Sequence, residues 1–154
     1  MAMIRKASAV RKKLHMLIYG EQGTGKSRTA MQLCYLKNAD GKPFRVLYLD
    51  TENGSIDNYT EELEANGVNP DNLLIVYTQS LAEVQDYIKM VTNNEDIEDE
   101  NGDVYLDADG KPFRADALVV DSASILKMTA TQGLTAFSQK RAKVCLLYTS
   151  DAAD

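Results

Sequence analysis

The sequence predicts an α/β fold in which a mainly parallel sheet is flanked by helices. Three observations lead to this prediction. Strand and helix patterns alternate along the chain, several strand-like runs are almost unbroken in apolar residues, and a glycine-rich turn joins the first strand-like run to a helical one. Unbroken apolar runs indicate strands covered on both faces, as parallel strands between helices are. At 154 residues, the chain has the length of one domain with its own core.

Local signals set the boundaries of the elements in the first half. The glycine-rich turn ends the first strand, and Asp40-Gly41 lies at the centre of the turn after the first helix. Ser55 is a suitable N-cap for the second helix, and Gly67 is its C-terminal stop. The predicted elements of this half are a strand at 14–19, a helix from Gly25 or Lys26 to about Lys37, a turn at 38–42, a strand at Val46–Asp50 and a helix at about 56–66.

In the second half, Ser80-Leu-Ala-Glu83 fits a capping box that opens the third helix. An acidic insertion follows, and its Asp109-Gly110 turn predicts a surface β-hairpin of residues 104–107 against 111–114. A break is expected at Gly133 in the last helix. The predicted elements of this half are a strand at Leu73–Tyr77, a helix from 80 to about 92, the insertion at 93–116, a strand at Ala117–Asp121 and a mostly helical segment at 122–144.

One heptapeptide occurs twice. Ala-Asp-Gly-Lys-Pro-Phe-Arg stands at residues 39–45 and again at 108–114, each time just before a predicted strand. Asp-Gly favours a turn, Pro excludes a helix and Phe begins the return to the core, so shared turn chemistry explains the repeat. Nothing else in the chain repeats at that offset.

The glycine-rich turn reads Gly20-x-x-x-x-Gly25-Lys26-Ser27, the pattern of a phosphate-binding loop, between a predicted strand and a predicted helix. Its glycines let the backbone approach phosphates closely, Lys26 reaches the β- and γ-phosphates, and the Ser27 hydroxyl ligates Mg²⁺. We therefore expect the chain to bind a nucleoside triphosphate with Mg²⁺. The expected nucleotide-binding residues are Gly20, Glu21, Gln22, Gly23, Thr24, Gly25, Lys26, Ser27 and Arg28.

Two acidic residues at strand ends complete the predicted site. Asp121 ends an apolar strand, which suits an aspartate that supports Mg²⁺ together with Ser27. The next residue is Ser122 instead of a glutamate, so the carboxylate that activates water must come from elsewhere. Glu52 follows the second strand and lies at the same edge of the sheet, so we predict Glu52 and Lys26 as the catalytic residues. The alternatives are a helix-capping role for Asp121 and a solvated loop position for Glu52.

These motifs, in this order, resemble the RecA-type ATPases. The resemblance covers residues 14–126 and lies in the segments 20–27, 46–52, 67–74 and 118–122. The phosphate-binding loop is also similar to that of phage-encoded RecA-like or AAA-family ATPases. The resemblance implies ATP hydrolysis, a homo-oligomer, and single-stranded DNA handling in recombination or replication, with the family's DNA-binding loops beyond residue 144. A nucleotide-binding switch or a P-loop kinase without a DNA role remains the alternative.

Charge and the chain ends give the remaining expectations. The formal net charge is −6, yet residues 1–13 are basic and 93–116 strongly acidic. No apolar run approaches the length of a membrane span, so a cytoplasmic protein is expected, in the host if phage-encoded. Residues 145–154 back-translate to a string that resembles a sequencing-library adapter. The expected organisation is a basic segment at 1–13, an incomplete core at 14–144 and a non-native tail, with a C-terminal strand as the alternative to the tail.

Overall fold

A computed structural model describes residues 14–54, 56–99 and 101–150. Within these ranges, it describes the side chains of residues 14–136 and 138. Within these ranges, a parallel sheet of three strands is flanked by four α-helices. The elements are α1 (Lys26–Met31), β1 (Val46–Asp50), α2 (Asp57–Ala65), β2 (Leu73–Tyr77), α3 (Leu81–Asn93), β3 (Ala117–Asp121) and α4 (Ala123–Ser150), with 3₁₀ turns at Gln32–Tyr35 and Pro70–Asn72.

β1 is the central strand, and it pairs in parallel with β2 on one side and β3 on the other. The register aligns Asp50 with Tyr77 and with Asp121, so the three strands end at the same level. Every residue of β1 is buried, which agrees with the unbroken apolar run that predicted the strand. The predicted α/β architecture with a parallel sheet is confirmed.

Alternate side chains of β1 enter two separate cores. Val46 and Tyr48 face the first core, where they pack with Met31 and Cys34 from the segment after the glycine-rich turn. Burial raises the pKa of the Cys34 thiol to about 11. Leu47 and Leu49 face the second core, whose other buried members are Val84, Ile97, Phe113 and Leu126. The sheet is therefore covered on both faces, as its composition requires.

The acidic insertion contributes to the second core. Ile97 is 1% exposed and Phe113 is fully buried. Three backbone bonds join this region in a ring: Ile97 N–H donates to Phe113 O at 3.0 Å, Phe113 N–H to Tyr105 O at 2.8 Å, and Tyr105 N–H to Ile97 O at 2.9 Å. The expected hairpin is present as short bridges, but its apolar anchors are core residues. Val104, Tyr105 and Leu106 are exposed, as a surface hairpin requires, whereas Phe113 is part of the core.

The two copies of the repeated heptapeptide form the same turn. The Asn38 N–H donates to Lys42 O at 2.8 Å, and at the equivalent place in the second copy the Asp107 N–H donates to Lys111 O at 2.7 Å. The two turns also contact each other, since Lys42 Nζ lies 2.8 Å from the Asp109 carboxylate. Identical local chemistry has thus produced identical local structure before β1 and before β3.

The predicted strand at 14–19 is absent. These residues are irregular, and they pair with no strand among the described residues. Leu14 is 83% exposed and Tyr19 is 87% exposed, so the apolar run is uncovered. A strand needs backbone partners on a neighbouring strand, and an apolar pattern alone does not supply them. The helix expected to reach Lys37 is also shorter, because α1 ends at Met31 and continues as the 3₁₀ turn.

The predicted break at Gly133 is wrong, because α4 runs through that residue to Ser150. A single glycine inside a helix costs only about 1 kcal/mol, which neighbouring turns offset. The helix includes residues 145–150 of the expected tail, while residues 1–13 and Ser55 lie outside the described ranges. At α3, the Ser80 hydroxyl caps the Glu83 N–H at 3.3 Å as predicted, but the Glu83 carboxylate accepts from Thr78 Oγ1.

Candidate active site

The candidate site lies at the carboxyl ends of the three strands. The glycine-rich turn lies at this edge: Ser27, which follows the turn, donates its hydroxyl to Asp121 Oδ2 at 2.5 Å. These two residues are far apart in sequence, and the fold brings together the two groups that the sequence assigned to Mg²⁺. Gly25, Lys26 and Ser27 are half-buried, while the turn before them is exposed and accessible to a ligand.

The backbone of the turn requires its glycines. Gly23 has a φ of 80° and Gly25 a φ of 81°, both in the left-handed region that glycine adopts without strain. At Gly20, an added Cβ would lie 3.0 Å from Thr24 Oγ1, so the Thr24 side chain would have to shift to admit it. Thr24 itself closes the turn by donating its hydroxyl to Glu21 O at 2.8 Å. The glycines at positions 23 and 25 therefore agree with the left-handed backbone conformation of the turn.

The Lys26 side chain folds back over the turn. Its Nζ donates to Gly20 O at 3.1 Å and to Glu21 O at 2.8 Å. These are neutral carbonyl acceptors, and a phosphate oxygen is a stronger partner for an ammonium group. The lysine therefore stands at the turn that the motif assigns to phosphates, with its charge balanced by peptide dipoles.

Arg28 has a different set of contacts from the other residues assigned to the nucleotide. Its guanidinium donates to the Glu62 carboxylate of α2 at 2.6 Å, and this bond raises the pKa of Arg28 above its ordinary value. In this arrangement Arg28 links α1 to α2. Both side chains are largely exposed, so the pair adds little to the free energy of folding.

Asp121 receives a second hydroxyl from the neighbouring strand. The Tyr48 hydroxyl donates to Asp121 Oδ2 at 2.6 Å, and the Tyr48 side chain is fully buried. The same oxygen thus accepts from Tyr48 and from Ser27. Tyr48 was not among the site residues predicted from the sequence. The available signal was one hydroxyl within an otherwise aliphatic strand, two residues before the strand end.

These groups fit Mg²⁺. A hydroxyl and a carboxylate are hard oxygen ligands, and Mg²⁺ is usually held by one or two protein groups together with substrate phosphates and water. No cluster of three or more His, Cys, Asp or Glu side chains suited to a metal occurs in the described part of the chain. The Ser27 hydroxyl and the Asp121 carboxylate are suited to a cation that arrives with a nucleotide.

Glu52 lies on the loop that follows β1, and its Oε1 accepts from the Ser122 hydroxyl at 2.7 Å. Ser122 is the residue directly after Asp121. The carboxylate predicted to activate water is thus tied to the residue beside the predicted metal aspartate. Glu52 is exposed, so water has access to it.

Thr51 fixes the backbone of Ser122. The Thr51 hydroxyl accepts from Ser122 N–H at 2.8 Å and donates to Ser122 O at 2.8 Å. In addition, Thr51 N–H donates to Asp121 O at 2.7 Å. The ends of β1 and β3 are therefore joined by side-chain and backbone bonds. The Asp50 carboxylate turns back to accept from the N–H groups of Glu52 and Gly54.

At the end of β2, the Tyr77 hydroxyl donates to Asp57 Oδ1 at 2.5 Å. This bond raises the pKa of Tyr77 to about 12. The contact joins the end of β2 to the start of α2. Within the described residues, the structure thus brings four predicted site residues to one edge of the sheet: Lys26, Ser27, Asp121 and Glu52. Three further residues contact them there: Tyr48, Thr51 and Ser122.

Comparison with known proteins gives one family. A family model described as an AAA domain matches residues 12–143. Searches of curated proteins and of solved structures returned no match. In the described part of the chain, no helix is both long enough and apolar enough to cross a membrane.

Proposed function

This chain belongs to the AAA domain family, which indicates a nucleotide-binding ATPase. From that premise, we propose that it binds ATP with Mg²⁺ and hydrolyses the bond between the β- and γ-phosphates. The roles proposed are phosphate binding by Lys26, metal binding by Ser27 and Asp121, and water activation by Glu52. The observation that carries the proposal is the 2.5 Å contact between the Ser27 hydroxyl and Asp121.

The proposed mechanism follows from where these side chains lie. Lys26 exchanges its two carbonyl acceptors for oxygens of the β- and γ-phosphates and neutralises charge that develops on them. Mg²⁺, when bound, supplies Lewis-acid stabilisation of the same charge. Glu52 accepts a proton from the attacking water, while the Ser122 hydroxyl holds the Glu52 carboxylate in place. The turn's glycines let backbone N–H groups come close to the phosphates.

We propose further that the protein is RecA-like, of phage origin, and acts on single-stranded DNA as a homo-oligomer. The support for this part is the sequence resemblance of residues 14–126 to RecA-type ATPases. The acidic insertion disfavours DNA on its own side of the molecule, because phosphate binding depends on basic side chains. A DNA site would therefore lie away from residues 93–116.

ATP hydrolysis in Mg²⁺, with and without single-stranded DNA, tests the proposal. We expect Lys26→Ala to lower hydrolysis by about 10²–10³-fold. Glu52→Gln should lower hydrolysis while leaving ATP affinity intact. Lys89→Ala is the matched control, because Lys89 is an exposed lysine that pairs with Asp86 on α3.

Each outcome separates the parts of the proposal. Hydrolysis that DNA stimulates and that requires Lys26 supports both the ATPase and the DNA role. Hydrolysis that is indifferent to DNA supports the ATPase and refutes the recombination role. Tight nucleotide binding without hydrolysis refutes the ATPase and favours a nucleotide-dependent switch or a kinase.

A further inference from the structure

Tyr48 is the residue that links the buried core to the metal-binding end of the site. It is fully buried between the sheet and the segment after the glycine-rich turn, where Met31 and Cys34 also pack. Its hydroxyl nevertheless ends on Asp121 Oδ2, at 2.6 Å. A polar atom at the end of a fixed aromatic ring is thus aimed at a carboxylate of the proposed site.

The strand register explains this contact. Tyr48 is aligned with Val119 across the β1–β3 pair. Side chains alternate along a strand, so Asp121 lies on the same face as Val119, two residues further on. A tyrosine is long enough to reach that diagonal position, whereas Val46 on the same face of β1 is not. Asp50 lies on the same face and is aligned with Asp121, but its carboxylate accepts from the N–H groups of Glu52 and Gly54. The hydrogen bond from this face of β1 to Asp121 comes from the Tyr48 hydroxyl.

The two hydroxyls on Asp121 differ in how freely they can move. Ser27 is half-buried, and the oxygen of its short side chain keeps a lone pair for a metal ion while its proton is donated to Asp121. The Tyr48 ring is fully buried in the first core, so packing restricts its movement. Packing thus holds the Tyr48 hydrogen bond on the carboxylate from the side of the core.

We propose that Tyr48 is a positioning residue, which orients the Asp121 carboxylate for the Mg²⁺ that accompanies the nucleotide. This inference rests on the proposed function, since it assigns Asp121 to the metal. Groups that hydrogen-bond a metal ligand from behind fix its orientation, and their loss typically lowers metal affinity by about 10–100-fold. The tyrosine does not touch the metal, and it acts through Asp121.

Nucleotide affinity measured with and without Mg²⁺ tests this role without relying on turnover. ADP is titrated by calorimetry into the wild-type protein and into Tyr48→Phe, once in Mg²⁺ and once in EDTA. We expect the Mg²⁺-dependent gain in ADP affinity to fall about tenfold in Tyr48→Phe, with affinity in EDTA unchanged. Tyr105→Phe removes the same atom from an exposed tyrosine on the insertion and should match the wild type.

Three results would overturn the inference in distinguishable ways. An unchanged Mg²⁺-dependent gain in Tyr48→Phe overturns the role of Tyr48 and leaves the proposed function standing. An equal loss of affinity with and without Mg²⁺ shows a general structural effect and also overturns it. A wild-type protein whose ADP affinity does not depend on Mg²⁺ overturns the proposed metal site, and the inference with it.

A second measurement needs no variant and covers the case in which Tyr48→Phe fails to fold. A buried, hydrogen-bonded hydroxyl proton exchanges slowly with water and is observable by NMR. We expect the Tyr48 hydroxyl proton to remain protected when Mg²⁺ and ADP bind. Loss of that protection on binding would show that the bond to Asp121 breaks, which would refute a positioning role.

Discussion

Replacing Thr51 with valine should destabilise the protein, because it removes a hydroxyl and keeps the shape of the side chain. Thr51 is fully buried, and its hydroxyl makes two bonds of 2.8 Å, one from Ser122 N–H and one to Ser122 O. A neutral hydrogen bond contributes about 1 kcal/mol net, so the two together contribute about 2 kcal/mol. The valine variant also leaves a backbone donor and acceptor without these partners, which adds to the loss.

Urea unfolding of the wild type, Thr51→Val and Thr51→Ser measures this contribution. Serine keeps the hydroxyl and removes one methyl group, at a cost of about 1 kcal/mol. We expect Thr51→Val to lower the free energy of unfolding by about 2 kcal/mol or more, and to be the less stable of the two variants. If Thr51→Val is as stable as Thr51→Ser or more so, the reciprocal bonds to Ser122 do not stabilise the fold and the reasoning is refuted.

Three further predictions concern single side chains. Ser122→Ala should lower the ATP hydrolysis rate about fivefold at unchanged ATP affinity, and it should have no further effect in a Glu52→Gln background; an additional loss there would contradict action through Glu52. Tyr77 keeps its proton more tightly in the folded protein, where its pKa is about 12, than in the unfolded chain, where a tyrosine pKa is about 10. Stability should therefore fall between pH 10 and 12, and Tyr77→Phe, which lacks the bond to Asp57, should flatten that fall in urea titrations. Cys34 should resist a thiol reagent at pH 8 and react in urea, as peptide mapping by mass spectrometry would show, since burial raises its pKa to about 11; rapid labelling of the folded protein would contradict its burial.

The strands that the sequence predicted correctly are those whose composition leaves little choice. Val46–Asp50, Leu73–Tyr77 and Ala117–Asp121 have the same bounds in the structure as in the prediction. Each is a short apolar run between turn signals, and a run of that kind is stable only when both of its faces are covered. The position of Asp121 at the end of its strand followed from the same reasoning.

The elements that could not be predicted depend on partners that a local pattern does not contain. The run at 14–19 has the composition of a strand, yet pairing is decided by a neighbour elsewhere in the chain. The bonds of Ser122 to Thr51 and Glu52 depend on how β1 and β3 are aligned. The Tyr48 contact depends on the same alignment. Residue types could suggest these side chains, but only the register brings them together.

The duplicated turns before β1 and β3 offer a way to observe the sheet without disturbing its chemistry. They stand at the amino ends of two strands that are five residues long, so they are about 16 Å from the opposite edge, where the nucleotide is proposed to bind. Ala39 and Ala108 are equivalent exposed positions on the two turns. A pair of spin labels there would report any sliding of β1 against β3 during the nucleotide cycle. The distance between the two copies of the repeat would then measure the position of β1 relative to β3.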